Sequence, residues 1–168
     1  NTLPINTIPI VTGFIASNVR GETTTLGRNG TNYSASLLAK FLSVKTVESF
    51  THVDGIFTAN PELVDNAQVI EHLSYSDANE LASFGASILH GKTIAPLVDE
   101  NIELHIKNTF NPKTNGTLIS KDKRSTGVKS ISVQNDIVVV NLEGKGILGK
   151  SGIDGRIFST LQKENISI

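Results

Sequence analysis

Short apolar runs alternate with segments of helical periodicity along the first 120 residues of this chain. Residues 8–16, 44–51 and 102–107 are rich in apolar and β-branched side chains, which is typical of strands buried in a sheet. Between these runs, residues 35–42 and 78–88 carry apolar side chains at the spacing of one helix face. The alternation predicts an α/β fold with helices layered on a mainly parallel sheet.

Two patterns near the N-terminus make this prediction specific. We expect residues 8–16 to form a strand that is buried on both faces. We expect Thr31 to be the N-cap of the first helix, because its hydroxyl can accept a hydrogen bond from a backbone N–H of the first turn. The side chains expected to face the core from this helix are Ala35, Leu38, Phe41 and Leu42.

The middle of the chain carries further signals of helix and strand. Ser74, followed three residues later by Asp77, resembles a capping box that begins a second helix. Residues 92–101 predict a third helix with Pro96 in its first turns, and residues 117–119 predict a strand.

The remainder of the chain predicts a second, smaller domain. Residues 121–127 are polar and charged, which is typical of a linker between a domain at residues 1–120 and one at residues 128–168. Residues 128–133 and 137–142 predict two strands. Ser151 then caps a helix that places Ile153, Ile157 and Leu161 on one face.

Composition narrows the class of protein. With 168 residues, 38% of them hydrophobic, and a net charge of −1, the chain can pack a core and shows no electrostatic preference for nucleic acid or an anionic membrane. There is no cysteine, which excludes disulfides and fits a cytoplasmic location. Because the chain starts with Asn1 and contains no methionine, we expect both of its ends to be cuts in a longer protein.

The strongest candidate for chemistry is the segment around Arg28. Gly27 and Gly30 let the backbone approach a ligand closely, and the predicted helix after them offers the positive end of its dipole. The Arg28 guanidinium suits a carboxylate or a phosphate. Spacing alone leaves open an ordinary glycine turn with Arg28 in solvent.

The histidines give no sign of a metal centre. His52, His72, His90 and His105 lack the spacing of metal ligands, so we predict no protein-bound metal. For His52 two interpretations stay open, a contact with a bound nucleotide or a hydrogen-bonded loop residue.

The segment at residues 25–35 resembles the signature of the aspartokinase family. The resemblance continues at residues 51–61, Thr-His-Val-Asp-Gly-Ile-Phe-Thr-Ala-Asn-Pro, and at Leu89-His90 with Thr93 and Pro96. It also includes Asn108-Thr109-Phe110-Asn111-Pro112 and covers nearly all of residues 8–119 in family order.

The resemblance implies the C-terminal, nucleotide-binding half of an amino acid kinase-like three-layer sandwich. The implied reaction moves the γ-phosphoryl group of ATP, with Mg²⁺, to the β-carboxylate of L-aspartate, the first step in lysine, threonine and methionine biosynthesis. Arg28 is implied as the catalytic residue, which binds substrate together with Thr31 and Asn32. The implied nucleotide-binding residues are Thr51, His52, Asp54, Gly55, Phe57, Asn60 and Lys92.

Residues 128–168 resemble the start of an ACT regulatory domain, a ferredoxin-like α+β fold. The resemblance implies that an amino-acid effector, lysine or threonine, binds at Gly149, Lys150, Ser151, Gly152 and Ile153. It also implies a homodimer or higher homo-oligomer through ACT domains, and leaves open a fused homoserine dehydrogenase.

Several residues depart from the family pattern and keep alternatives open. Asn32 and His52 replace family aspartates, Asn60 and Glu62 stand where Asp and Arg are usual, and Ser87 replaces a lysine. A divergent kinase and a regulatory amino-acid-binding module with a degenerate kinase portion both fit, as does another amino acid kinase. The family's Lys-Phe-Gly-Gly motif is absent, so we expect the isolated 168-residue chain not to catalyse the reaction.

Overall fold

The computed structural model describes residues 6–27, 29–83, 89, 92–122, 127–133, 138, 141 and 152–166. The chain divides into two compact units, one of residues 1–134 and one of residues 135–168.

The first unit contains a four-stranded sheet and a separate two-stranded ribbon. Its elements are β1 (Ile15–Ser17), β2 (Thr23–Thr25), α1 (Gly30–Phe41), β3 (Thr46–Thr51), β4 (His72–Ser74), α2 (Tyr75–Ser83), α3 (Ala95–Glu100), β5 (Glu103–Asn108) and β6 (Thr117–Ser120). The four-stranded sheet has the order β3-β5-β6-β4. β3 pairs with β5 and β4 pairs with β6 in parallel, whereas β5 and β6 are antiparallel. The sheet is therefore mixed, and the predicted α/β class is confirmed.

The core lies on one face of this sheet. Leu104 and Ile106 of β5 and Ile119 of β6 are at most 2% exposed, because side chains at every second position of a strand point to the same face. Leu97 of α3 is fully buried in the same cluster. The hydroxyl of the buried Tyr75 donates a hydrogen bond to the Ile102 carbonyl oxygen at 2.7 Å, so its polar group has a partner in the core.

The predicted capping box is confirmed. The Asp77 N–H donates to Ser74 Oγ at 3.2 Å, and the Ser74 N–H donates to Asp77 Oδ2 at 3.3 Å, so two N–H groups at the start of α2 are paired reciprocally. The strands predicted at residues 44–51, 102–107 and 117–119 correspond to β3, β5 and β6.

The prediction of a buried strand at residues 8–16 is wrong. Only Ile15 and Ala16 of this run lie in β1, which pairs antiparallel with β2, and Ile8 and Ile10 are 88% and 96% exposed. A continuous apolar run is buried only where neighbouring strands and helices cover it. Here the run lies beside the start of α1, where the Phe14 N–H donates to Ser34 Oγ at 3.1 Å.

The predicted inward face of α1 is also wrong. The helix contacts α3 and β3 and buries Ser36 and Ala39, which are 1% and 5% exposed, whereas Phe41 is 78% exposed. Small side chains allow this close approach of helix and sheet. The N-cap is Asn29 and not Thr31, because the helix begins at Gly30.

Residues 128–133 do not form the predicted strand; they belong to the first unit and have no strand assignment. Of the strand predicted at 137–142, all but residues 138 and 141 lie outside the described residues.

In the second unit, helix α4 (Ile153–Lys163) confirms the predicted helix, with Ile153, Ile157 and Leu161 as its partly buried positions. Across the described part of the chain, no helix is both long and apolar enough to cross a membrane.

Candidate functional site

A cleft of about 530 Å³ opens where β3 ends, between the start of α1 and the loop after β3. The carboxyl ends of strands are the usual location of ligand sites in α/β sheets. The described residues that line it are Asn29, Asn32, Ser49, Phe50, Thr51, His52, Val53, Ile56, Phe57, Ala59, Asn60, Pro61, Glu62, Leu81, Ser130, Ile131, Ser132 and Val133.

The start of α1 forms one side of this cleft. Asn29 has a φ of 60°, in the left-handed region that asparagine tolerates better than most residues, and the Gly30 N–H donates to the Gly27 carbonyl oxygen at 3.0 Å. A side chain at position 30 would meet Leu26 Cβ at 2.6 Å, so glycine permits the tight entry into the helix. Asn29 and Asn32 therefore stand at the positive end of the α1 dipole, beside the cleft.

The turn after β3 is held by a contact with β6. The Ile56 N–H donates to Thr117 Oγ1 at 2.8 Å, and both groups are buried. Gly55 has a φ of 146°, and an added Cβ would lie 2.6 Å from Thr117 Oγ1. Glycine at this position is required both for the backbone conformation and for the close approach of the two segments.

Asp54 points away from the cleft lining. Its Oδ1 accepts hydrogen bonds from Asn108 Nδ2 at 2.7 Å and from Asn111 Nδ2 at 3.1 Å. The carboxylate thus ties the turn after β3 to the loop after β5. Neither Asp54 nor Gly55 is among the described residues that line the cleft, although both shape the turn that does.

The loop from Phe57 to Val69 folds back on itself and forms the far side of the cleft. Phe57 and Val69 make an antiparallel bridge, and the Thr58 N–H donates to the Gln68 carbonyl oxygen at 2.8 Å. At the tip, Asn60 Oδ1 accepts a hydrogen bond from the Glu62 N–H at 3.0 Å. This local turn fixes the wall that carries Asn60 and Glu62.

The cleft has a third side, which the sequence did not predict. Residues 127–133, here called the strap, run along the Phe57–Thr58 backbone. Ser130 Oγ donates to the Phe57 carbonyl oxygen at 2.9 Å, and the Ile131 N–H donates to the Thr58 carbonyl oxygen at 2.9 Å. The only sequence signal was the apolar alternation that predicted a strand of the second domain, which gave no indication of this partner.

The strap is anchored to the start of α2 by an ion pair between Lys129 and Asp77. The two side chains are 14% and 23% exposed, which makes this a partly buried pair. Burial raises the pKa of Asp77, but the hydrogen bonds from Lys129 and Ser74 and the attraction of the Lys129 charge outweigh it, so the pKa lies below its ordinary value.

The charges on the cleft wall are few. Among the described lining residues, the ionisable side chains are His52 and Glu62, and there is no lysine or arginine. The described residues also contain no group of three or more histidine, cysteine, aspartate or glutamate side chains arranged for a metal ion. An anionic ligand in this cleft therefore meets the α1 dipole, uncharged hydrogen-bonding groups and the carboxylate of Glu62 on the described walls.

The structure brings together several of the predicted site residues. Asn32, Thr51, His52, Phe57 and Asn60 all line the one cleft. Thr31 is exposed in the first turn of α1, and Lys92 is exposed before α3; neither lines the cleft.

Other predicted residues fall elsewhere. Arg28, the candidate catalytic residue, lies outside the described residues, as do Ser87, Gly149, Lys150 and Ser151. Of the predicted effector site, Gly152 is the N-cap of α4 with a φ of 84°, and Ile153 is the first residue of that helix.

Comparisons with known proteins agree on one family. Residues 3–108 match the amino acid kinase family. The bifunctional aspartokinase/homoserine dehydrogenase of Haemophilus influenzae is 40% identical over 163 residues, which are 96% of this chain and 20% of that protein. The chain thus spans about a fifth of the length of this relative.

Solved structures give the same result. The crystal structure of E. coli aspartokinase III in complex with aspartate and ADP superposes with a TM-score of 0.75 at 30% identity, covering 93% of this chain and 35% of that one. The structure of the same enzyme with lysine and aspartate gives a TM-score of 0.70 at 32% identity over 92% of this chain and 35% of that one. The predicted resemblance to aspartokinases and the predicted amino acid kinase-like fold are confirmed.

Proposed function

Because this chain belongs to the amino acid kinase family, we propose that it forms the nucleotide-binding half of an aspartokinase catalytic domain. In the proposed reaction, an oxygen of the β-carboxylate of L-aspartate attacks the γ-phosphorus of ATP. The bond from that phosphorus to the β–γ bridging oxygen breaks, and the products are 4-phospho-L-aspartate and ADP. Support comes from the similarity to the aspartokinase III structure with aspartate and ADP.

The observation that carries the proposal is the cleft at the end of β3. It sets the start of α1, with Asn29 and Asn32, opposite the loop that carries His52 and Asn60. Phosphoryl transfer needs its two substrates aligned and their charge neutralised more than it needs covalent help from the protein. A single cleft with a helix N-terminus on one side and a loop on the other can hold two anionic substrates side by side.

Within the cleft, we assign the nucleotide to the loop side. Thr51, His52 and Asn60 offer hydrogen-bonding groups, and Phe57 offers an apolar face for the base. Asp54 and Gly55 act on this side indirectly, because they fix the turn that presents Phe57.

The substrate carboxylate belongs at the α1 side. The role that we propose for Arg28 is to clamp a carboxylate of aspartate. Thr31 and Asn32 stand in the first turn of α1. Mg²⁺, supplied with ATP as the MgATP complex, would neutralise phosphate charge beside the described walls of the cleft, which contain no lysine or arginine.

For the second unit, we propose the start of an ACT domain that binds an amino-acid effector at residues 149–153 and pairs with a second copy. The support is the complex of aspartokinase III with lysine, and the relative of Haemophilus influenzae adds a fused homoserine dehydrogenase as a further proposal.

The test uses the full-length protein that carries this sequence. Incubation with MgATP and L-aspartate is expected to release ADP and to form an acyl phosphate that hydroxylamine traps. L-glutamate and UMP in place of aspartate serve as controls for other amino acid kinases. Arg28→Ala is expected to lower kcat/KM for aspartate about 100-fold or more, since it removes a charged bidentate contact. Binding of MgADP without any aspartate-dependent turnover would instead favour a degenerate kinase.

A further inference from the structure

We propose that the strap, residues 127–133, is a positioning element of the nucleotide cleft, with Lys129 as its anchor. The inference rests on the proposed function, because it takes a nucleotide as the occupant of the cleft. It assigns a role in binding to a segment that the sequence patterns placed in the regulatory domain.

The strap contacts the loop from Phe57 to Val69 on the side opposite Gln68 and Val69, with which Phe57 and Thr58 pair inside that loop. The Thr58 N–H donates to the Gln68 carbonyl oxygen, and the Thr58 carbonyl oxygen accepts from the Ile131 N–H. The backbone at Thr58 is therefore hydrogen-bonded to two neighbouring segments. Ser130 adds a side-chain hydrogen bond to the adjacent Phe57 carbonyl at 2.9 Å. Loss of the strap leaves the Phe57–Thr58 segment with one neighbouring segment, and Phe57 is the proposed contact of the nucleotide base.

Polar contacts, and not apolar burial, keep the strap in place. Val128, Ile131 and Val133 are 90%, 64% and 55% exposed, so none of the strap's large apolar side chains is buried. Among the described residues, the polar contacts of the strap are two hydrogen bonds to the loop and the Lys129–Asp77 ion pair. The position of the strap therefore depends on a small number of groups that single substitutions can remove.

The strap is also a wall between two cavities. Ser130, Ser132 and Leu81 line both the main cleft and a smaller cavity of about 280 Å³ that contains Asp77 and Lys129. Because the strap borders a cavity on either side, we expect it to shift when its anchor is lost. The exposed faces of Ile131 and Val133 then no longer border the cleft.

Lys129, the anchor of the strap, pairs with Asp77, which also has a role in capping α2. Asp77 already caps α2 through Ser74, so its carboxylate is held in place before Lys129 reaches it. A fixed carboxylate is a better anchor than a mobile one, since less side-chain entropy is lost when the ion pair forms.

The experiment measures MgADP binding to the full-length protein by calorimetry, together with KM for ATP, KM for aspartate and kcat. Lys129→Ala is expected to weaken MgADP binding and to raise KM for ATP about 3–10-fold, the effect of one or two lost hydrogen bonds on an otherwise intact cleft. KM for aspartate is expected to stay within about two-fold of wild type. Lys129→Arg keeps the charge and is expected to restore most of the affinity.

Two further variants separate positioning from folding. Ser130→Ala removes one partly exposed hydrogen bond, so the test remains possible if Lys129→Ala does not fold. Lys40→Ala breaks the Lys40–Asp99 ion pair of 2.5 Å, which joins α1 to α3 away from the cleft lining, and is expected to leave MgADP affinity unchanged.

The outcomes are distinct. A purely structural strap lowers the fraction of competent protein, and hence the binding stoichiometry and kcat, but leaves the dissociation constant of MgADP as in wild type; that result for both strap variants overturns the inference. If wild type turns over aspartate and the variants bind MgADP normally, only the inference falls. If wild type binds no MgADP and shows no turnover, the proposed function and the inference fall together.

Discussion

Gly55 and Thr117 approach so closely that a methyl group on residue 55 would lie 2.6 Å from the Thr117 hydroxyl oxygen. This contact joins the turn after β3 to the start of β6, two segments that are far apart in the sequence. It fixes the backbone of Ile56 and Phe57, which line the cleft. The geometry of the cleft thus depends on Gly55, which is not itself among the described residues that line it.

Gly55→Ala is expected to destabilise the protein by about 2–5 kcal/mol, the sum of a strained positive φ and an overpacked contact. Thermal unfolding of the full-length protein measures the effect. Gly21→Ala is the matched control, because Gly21 also has a positive φ, of 77°, but no atom within 4 Å of the added Cβ. Equal losses in the two variants would contradict the importance of the Thr117 contact.

Thr117→Val is expected to cost about 1–3 kcal/mol, because it leaves the buried Ile56 N–H without an acceptor while it keeps the side-chain volume. Thr117→Ser retains the hydroxyl and is expected to lose less, about 1 kcal/mol for the missing methyl group. Chemical denaturation compares the two. If Thr117→Ser proves less stable than Thr117→Val, the hydrogen bond has no stabilising role.

Substitutions of Asp54 test whether its hydrogen bonds or its negative charge matter for activity. Asp54→Asn keeps an oxygen that accepts from Asn108 and Asn111, so kcat/KM is expected to stay within about three-fold of wild type. Asp54→Ala removes the acceptor and is expected to destabilise the turn by about 1–2 kcal/mol. A loss of activity above about 100-fold in the asparagine variant would show that the negative charge itself acts on the nucleotide or its metal.

The ion pair of the strap predicts a dependence on pH. The pKa of Asp77 in the folded protein lies below its ordinary value of 3.8. The unfolded chain therefore binds its proton first as the pH falls, and the stabilisation by Asp77 is present above the unfolded pKa and lost as the pH falls through the folded one. The difference in Tm between wild type and Asp77→Asn is expected to be largest near neutral pH and to shrink below about pH 4. A difference that grows on acidification would have the wrong sign.

The sequence was sufficient for those parts of the fold that depend on local chemistry. The capping box of Ser74 and Asp77, strand β5 and the face of α4 that carries Ile157 all follow from the spacing of neighbouring residues. Asn32 could be assigned to the substrate and His52 to the nucleotide because both belong to motifs of one family, and the structure places both in the lining of one cleft.

Apart from the N-cap of α1, which is Asn29 and not Thr31, the failures depend on contacts between distant segments. Nothing local distinguishes the apolar run at residues 8–16 from a buried strand, because its burial depends on which segments cover it. The inward face of α1 was misjudged because the close approach to α3 selects the small Ala39 over the larger Phe41. The strap was missed for the same reason, since its partners Asp77 and Phe57 are more than 50 residues away in the sequence, with separations of 52 and 73 residues for the two side-chain contacts.

Glu62 is the one carboxylate among the described residues that line the cleft, and it stands where the resemblance to aspartokinases leads us to expect an arginine. A negative charge there repels the phosphates of a bound nucleotide, so Glu62→Gln is expected to lower KM for ATP about 2–5-fold at low ionic strength. This decrease in KM for ATP is expected to be smaller at higher salt concentration, because exposed charges are screened within about 8 Å at physiological ionic strength. Glu100→Gln makes the same change of charge on α3, outside the cleft lining, and is expected to leave KM unchanged. Steady-state kinetics at two salt concentrations checks both variants. An unaltered KM in Glu62→Gln, or an equal change in Glu100→Gln, would place the phosphates elsewhere than beside the loop that follows β3.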